Sequence, residues 1–292
     1  MITVFTPTYN RAYIISKLYE SLCNQINKDF EWLVVDDGSV DDTEFLIKSF
    51  IAENKITIRY IKQLNGGKHI AINTGVEAAK GDLFFIVDSD DYLTPDAVDW
   101  FLSQWCSIKD DSTLVGISGV RIHPDGRRIG GGLSFETVDC TPLEFGMRLG
   151  IKGDLAEAFK TDTLKMYPFP SIKGEKFCPE ALVFFRMAND GYKLCYTNTK
   201  IYVCEYQEGG LTDNIVKVRM LSPETTLMYY SELKNYNIPL KYKFRAFVNY
   251  WRFSFCSSKT IIDKVKQIGW LSLPAYPIGY MMHFVDRNRM KK

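Results

Sequence analysis

The chain has 292 residues, 46% hydrophobic and 24% charged, which supports one large domain or two modest ones and excludes global disorder. Its formal net charge of +1 hides a split, because residues 215–292 carry 14 Lys/Arg against 4 Asp/Glu, a net of +10, and the remainder carries −9. A basic tail of this kind meets an anionic surface, and its apolar content suits a membrane leaflet rather than nucleic acid.

In chain order, residues 2–6 are β-branched and apolar and predict a buried strand. Residues 13–25 have helical apolar spacing at Ile14, Ile15, Leu18 and Leu22. A second strand at 31–35 ends in Asp36-Asp37-Gly38-Ser39, and 43–52 reads as a second helix. Residues 56–61 alternate with charge as a third strand, and 70–79 form a third helix with Lys80-Gly81 as its stop. A fourth strand at 83–87 follows, and Pro95 suits the first turn of the next helix. This β-α-β-α-β-α-β order implies a mostly parallel sheet covered on both faces. Another strand is expected at 114–122, a turn at His123-Pro124-Asp125-Gly126 and a flexible loop at Gly130-Gly131-Gly132. The pattern then becomes irregular, as suits a substrate-side half with long loops. A helix at 179–189 with Gly191 as its cap and a strand-rich stretch at 192–205 complete this half. From about Leu221 the chain reads as helical and basic.

Three carboxylates, Asp88, Asp90 and Asp91, close the fourth strand. Like charges packed at a strand end repel, so at least one pKa rises unless a cation sits among them. Mg²⁺ and Mn²⁺ bind through one or two carboxylates plus substrate phosphates, and strand tips are where open α/β sheets place ligands. The alternative is a solvated acidic turn capping the next helix. Three further segments carry comparable residues. Thr6-Pro7-Thr8-Tyr9-Asn10 ends strand one, and Tyr9 offers a ring on which a base stacks, unless it is an ordinary turn. Asp36-Asp37-Gly38-Ser39 ends strand two, where an Asp accepts from a nucleobase N–H or ribose hydroxyl, or else Asp41 or Asp42 caps the next helix. Asn65-Gly66-Gly67-Lys68-His69 opens the third helix, whose N–H groups and Lys68 attract phosphate, although it is not a P-loop.

Other chemistries lack their residues. No G-x-G-x-x-G follows strand one, no H-E-x-x-H or G-x-S-x-G occurs, and His69, His123 and His283 are far apart. A calcium loop from Asp88 fails at Tyr92 and Leu93. The seven cysteines show no C-x-x-C spacing and read as reduced and mostly buried. With no signal-peptide pattern at the N-terminus, a cytoplasmic location is expected.

Taken together, Pro7-Thr8-Tyr9-Asn10, Val34-Val35-Asp36-Asp37-Gly38-Ser39 with Asp42-Thr43, the Asn73-x-Gly75…Ala79-Lys80-Gly81-Asp82 run and Asp88-Ser89-Asp90-Asp91 resemble the family 2 glycosyltransferases of the GT-A fold. The blocks share that family's order and spacing and span residues 1–125. The resemblance implies an α/β, Rossmann-like fold with a mostly parallel central sheet flanked by helices, here with a helical C-terminal extension. It implies a nucleoside-diphosphate-sugar donor, most commonly a UDP-sugar, and Mn²⁺ or Mg²⁺. Pro7, Thr8, Tyr9 and Asp37 match positions lining the nucleotide, and Asn10, Lys68, Asp88 and Ser89 are taken with them. Asp90 matches the direct metal ligand of the D-x-D motif, with Asp88 beside it.

The second half is similar to the family more weakly. Cys178-Pro179-Glu180 leads through Arg186 to Gly191-Tyr192, which places Glu180 on the family's catalytic Asp and Pro179 on its Glu. Glu180 is therefore the expected general base for a single displacement with inversion, unless it is merely a first-turn acid. The implied organisation is a glycosyltransferase domain at 1–213, with a nucleotide-binding half at 1–125 and an acceptor half at 126–213, then a basic, aromatic helical region at 214–292. The implied function is transfer of one sugar to a hydroxyl of a glycan or lipid-linked acceptor in cell-envelope polysaccharide synthesis. No Q-x-x-R-W is present, which speaks against a processive synthase. A sugar nucleotidyltransferase would want a Gly-rich, Arg-bearing first loop that is absent, and a non-catalytic nucleotide-sugar-binding module would explain Pro179-Glu180 as a decayed site.

Residues 269–285 are largely apolar but short, broken by Pro274 and Pro277, and end in Asp286-Arg287. That is short and broken for a bilayer span, which is kept only as a third reading. Residues 242–255 alternate aromatics with Lys243, Arg245 and Arg252. Docking at the inner face of the plasma membrane is expected, with packing against the catalytic domain as the other reading.

Overall fold

β1 (Ile2–Thr8) is buried at every position, as a strand covered on both faces must be. The computed structural model describes residues 1–131, 135–151, 153, 155–205 and 214–290. In these, β1 is followed by α1 (Ser16–Cys23), β2 (Phe30–Asp36), α2 (Thr43–Glu53), β3 (Ile58–Lys62), α3 (Lys68–Ala78) and β4 (Leu83–Ile86). Then come β5 (Tyr92–Leu93), α4 (Ala97–Ile108), β6 (Leu114–Ile122), β7 (Thr137–Cys140), β8 (Leu155–Lys160), α5 (Thr161–Lys165), α6 (Ala181–Asn189) and β9 (Lys193–Val203). The C-terminal part is α7 (Ile215–Leu221), α8 (Pro223–Glu232), α9 (Leu240–Ser254), α10 (Ile261–Ile268), a 3₁₀ turn (Trp270–Ala275) and α11 (Tyr276–Arg289).

One nine-stranded sheet runs β3-β2-β1-β4-β8-β6-β9-β5, with β7 on β9. The pairs β2–β3, β1–β2 and β1–β4 are parallel, as the alternating order requires. The other half is mixed, because β8 runs antiparallel to both β4 and β6, whereas β6 and β9 are parallel. β8 and α5 were not foreseen, since a short strand running straight into a helix leaves no turn signal between them. The parallel register sets Thr8 opposite Asp36 and Phe5 opposite Ile86, so the tips of β1, β2 and β4 share one edge.

Several boundaries differ from the sequence reading. α1 begins at Ser16 rather than Tyr13, because Ile14 and Ile15 both donate to the Arg11 carbonyl in a turn. Pro95 precedes the cap residue Asp96 rather than lying in the first turn of α4. The helical tail starts at Ile215, ahead of Leu221. Gly81 is not a helix cap, because α3 ends at an extended Ala79 (ψ 140°). Gly81 is glycine because a Cβ there would fall 2.3 Å from the Thr3 nitrogen. The Gly126 turn forms as expected, with its N–H on the His123 carbonyl at 2.9 Å. Gly132 of the expected loop and the boundary at residue 213 lie outside the described residues. All seven cysteines are unpaired thiols, four of them buried.

Buried Glu31 ties the non-site edge of the sheet together. It accepts from Thr3 Oγ1 at 2.7 Å and the Lys80 N–H at 2.8 Å, and pairs with Arg59 at 2.9 Å. Burial alone would raise its pKa, but these partners outweigh it and hold the carboxyl below its usual range. The C-terminal helices pack a core around Trp251, Tyr250, Phe253 and Leu227 that also takes in Leu143 and Ala188 from the sheet part. Two polar clamps join them to the sheet part. Arg186 grips Glu232 through two nitrogens at 2.6 and 2.9 Å, and the Glu175 carboxylate accepts the Glu224 and Thr225 N–H groups that open α8.

α3 lies tight against the sheet at Gly75, where a Cβ would sit 2.2 Å from the buried Phe5 ring. Gly75→Ala should therefore lower stability by about 1–3 kcal/mol in urea unfolding. Gly146→Ala, inside the helical turn at Glu144–Arg148 with nothing within 4 Å of the new carbon, should instead raise it by about 0.5–1 kcal/mol.

Candidate active site

The shared edge of β1, β2 and β4 collects the chemistry. Val87 continues β4 by donating to the Phe5 carbonyl, and Asp88 to Asp91 then turn away from the sheet. Asp88 receives the Lys68 ammonium at 2.6 Å and lies 3.8 Å from the Arg121 guanidinium. Asp90 lies 3.8 Å from Arg11. Asp91 is buried, accepting from the Tyr202 hydroxyl at 2.8 Å and the Glu205 N–H at 3.2 Å. Tyr202 Oη in turn accepts the Asp88 N–H at 3.0 Å, and the Arg121 guanidinium lies over its ring at 4.3 Å.

The expected repulsion is visible. Burial and the Asp88 charge raise Asp90, and the same two causes push Asp91 up to about 6 despite the Tyr202 hydrogen bond. Burial would raise Asp88 as well, but Lys68 and Arg121 outweigh it and keep this carboxyl low. Burial would likewise lower Lys68, whereas the charges of Asp88 and Glu180 raise it.

Lys68 brings Glu180 into the site. Its ammonium also touches Glu180 Oε1 at 2.8 Å, so residues 92 positions apart and on different elements share one cation. The backbone at Gly67 makes this possible. Gly67 has φ +95°, and a Cβ there would lie 2.0 Å from the Lys176 carbonyl oxygen. The start of α3 is thereby pressed against the loop leading into α6, at whose N-cap Glu180 sits.

The other expected residues have more internal work than the sequence suggested. Asp37 accepts the Gly66 and Gly67 N–H groups at 2.8 and 2.7 Å and the Gln63 amide at 2.7 Å. The two N–H groups just ahead of α3 thus go to the protein's own carboxylate. Asp41, not Asp42, supports the start of α2 through the Thr43 N–H at 3.1 Å. Asn10 (φ +53°) straps two strand tips, donating its N–H to Ser39 Oγ at 2.8 Å and accepting from the Val40 N–H at 2.9 Å. Pro7 and Ser89 are buried and Tyr9 is half exposed at the tip. Thr8 Oγ1 is buried beside them without a partner, the kind of unmet polar atom that a ligand or water satisfies.

Arg11, Arg121, Tyr202 and Glu205 were missed by sequence reasoning. Arg121 had a signal, since it is the lone charge in the otherwise apolar β6. Two acidic side chains, Asp88 and Asp90, suit a hard divalent ion that takes its remaining ligands from phosphates and water, and among the described residues no group of three or more His, Cys, Asp or Glu forms a closed metal cage. The donor set therefore fits an ion that arrives with a diphosphate.

The family model described as "Glycosyl transferase family 2" matches residues 3–167. The chain belongs to this family. Among characterised relatives, the chondroitin synthase of Pasteurella multocida (strain Pm70) is 27% identical over 266 residues, 86% of this chain and 26% of that protein. The hyaluronan synthase of Pasteurella multocida is 34% identical over 205 residues, 67% of this chain and 20% of its own length. The chain thus spans about a quarter or less of these relatives. Among solved structures, S. aureus TarS 1–349 in complex with UDP-GlcNAc superposes with a TM-score of 0.64 at 19% identity, covering 95% of this chain and 79% of that one. The mannosyltransferase PcManGT of Pyrobaculum calidifontis, in complex with GDP-Man and Mn²⁺, gives 0.60 at 16%, covering 100% and 88%. These likenesses show the fold, and the family 2 glycosyltransferase has the GT-A architecture that its motifs implied.

The internal role of Asp37 is testable. Asp37→Asn turns an amide donor toward a glycine N–H and should cost about 1–3 kcal/mol in chemical unfolding, with faster hydrogen exchange at Gly66 and Gly67. Unchanged stability would show that Asp37 does not organise this loop.

Proposed function

We propose that the chain transfers one sugar from a nucleoside-diphosphate-sugar to a hydroxyl of a glycan or lipid-linked acceptor, with inversion, in bacterial envelope polysaccharide synthesis. The single observation that carries this reading is the Lys68 bridge from Asp88 to Glu180, because it puts the expected base beside the expected diphosphate site. The UDP-GlcNAc, UDP and GDP-Man bound by structural neighbours support a nucleotide sugar as donor, with UDP-sugars preferred and GDP-sugars as the alternative.

In this reading Pro7, Thr8, Tyr9, Asn10 and Ser89 shape the nucleotide pocket, and Asp37 fixes the loop behind it. Asp90 and Asp88 would hold Mn²⁺ or Mg²⁺, which supplies electrostatic stabilisation to the leaving diphosphate. Lys68, Arg121 and Arg11 add positive charge along the same edge. Glu180 takes the proton from the acceptor hydroxyl as its oxygen attacks the anomeric carbon and the bond from that carbon to the phosphate oxygen breaks. With one base and no protein nucleophile in the scheme, one displacement inverts the centre.

Thermal-shift measurements with Mn²⁺ and UDP, GDP or their sugars provide the test. Stabilisation should need metal and nucleotide together, and Asp90→Ala should abolish it. Glu180→Gln should keep the shift while losing about 10²–10⁴-fold in transfer. Full transfer by Glu180→Gln would remove the base assignment. Slow release of nucleoside diphosphate from the sugar donor supports an enzyme, whereas no release under any donor would favour a binding module, and pyrophosphate release from a triphosphate would favour a nucleotidyltransferase.

A further inference from the structure

The segment 270–289 is amphipathic in the opposite sense from a water-facing helix. Its buried positions, at helical spacing, are Ser272, Ala275, Gly279, His283 and Asp286, all small or polar. Each of three is fixed by a specific contact with α9. Ser272 accepts from the Trp251 indole N–H at 3.0 Å, and a Cβ on Gly279 would lie 2.6 Å from that of Trp251. Asp286 takes a two-point ion pair from Arg252 at 2.6 and 2.9 Å. The orientation of the segment is therefore set by its polar face.

The outward face is the apolar one. Trp270 and Leu271 are 75% and 88% exposed, and Ile278, Met281, Phe284 and Val285 extend the face along α11. At about 100° per residue, Met281 and Phe284 fall near its centre, and Arg287 and Arg289 fall on its two opposite edges in the last turn. Both arginines are exposed, and neither forms an ion pair among the described residues. Lys291 and Lys292 follow in the sequence.

We propose that this face lies in the interface of a membrane leaflet containing anionic lipid, with the apolar side chains among the acyl chains and Arg287 and Arg289 on lipid phosphates. A contiguous apolar face rimmed by cations is the pattern of an interfacial helix, with arginines reaching to the headgroups. No helix among the described residues is long and apolar enough to cross a membrane, so the segment lies on the leaflet. The net +10 of residues 215–292 adds long-range attraction to an anionic surface. The same charge disfavours a second copy as the occupant, because pairing two such tails brings like charges together. The proposal stands apart from the transfer reaction, and its failure would leave the active-site reading intact.

Flotation of the full chain with phosphatidylcholine vesicles, with and without phosphatidylglycerol, tests it. The wild type should float with the anionic vesicles and about tenfold less with phosphatidylcholine alone. Met281→Glu and Phe284→Glu should each reduce the bound fraction about tenfold or more, with wild-type melting temperature and donor hydrolysis. Wild-type protein that stays in the soluble fraction, or variants that float as it does, would overturn the proposal. So would a wild-type dimer in ultracentrifugation that fails to float and that Met281→Glu dissociates, since that result gives the face to a second copy.

Discussion

Three carboxylates at the end of a buried strand are unstable neighbours unless positive charge is placed among them. The whole site is arranged around that constraint. Asp88, in the middle of the cluster, is matched by Lys68 from α3 and Arg121 from β6, and Asp90 by Arg11 from the loop after β1. Asp91 forms no ion pair among the described residues and is held by Tyr202 and the Glu205 N–H, and burial together with the Asp88 charge pushes its pKa furthest, to about 6. Compensation is thus uneven. The best-neutralised carboxylate shares its lysine with Glu180, and the least-neutralised one is buried against Tyr202. A divalent ion entering between Asp88 and Asp90 would meet charge that the protein has only partly balanced.

That balance requires elements far apart in sequence to converge, and the packing supplies the convergence. Parallel pairing brings three strand tips to one edge, while β8, inserted antiparallel between β4 and β6, sets β6 one strand over so that Arg121 reaches Asp88 from the side. Gly67 lets α3 begin in contact with the loop before α6. The start of α3 would ordinarily offer free N–H groups to an anion, but Asp37 occupies Gly66 and Gly67. Two N–H groups at the entry to that helix are consequently spent on internal order, and Lys68 turns its ammonium toward Asp88 and Glu180.

The strands and helices of the first half were legible because burial on both faces forces continuous apolar runs, and because glycine and aspartate punctuate them. Asp88, Asp90, Lys68 and Glu180 could be picked out as carriers of chemistry because the first two stand where a buried strand stops and the other two where a helix starts. What the sequence could not convey was partnership. Nothing in Asn65–Gly67 says that the anion seated there is Asp37, and nothing near Glu180 says that its neighbour is Lys68. Tyr202 reads as one more aromatic in a strand, although its hydroxyl links Asp88 to Asp91. Arg186 kept its family spacing, and the structure gives it a clamp on Glu232 rather than a place beside the acid cluster. The tail showed its apolar and basic content plainly, but which face turned outward depends on contacts such as Trp251 with Ser272 and Arg252 with Asp286, which only the folded chain reveals.

The departure at Pro179-Glu180 is intelligible in these terms. Family members place an acid pair there, and this chain keeps only one carboxylate, on a side chain one methylene longer. Glu180 stands at the N-cap of α6, and its longer arm brings Oε1 to 2.8 Å from the same ammonium that holds Asp88. A carboxylate tethered by an ion pair has a defined position that a free glutamate in solvent would lack, so the flexibility added by the extra methylene is removed by Lys68. Pro179 contributes in a different currency from the acid it replaces. Its ring fixes φ immediately before Glu180, and its carbonyl accepts the Leu182 N–H at 3.0 Å, so the first turn of α6 is set where Glu180 emerges. On the proposed reading, one placed carboxylate and a shared lysine do the work that a pair of acids does elsewhere, with Lys68 on Oε1 and the second oxygen of Glu180 left to take the acceptor's proton.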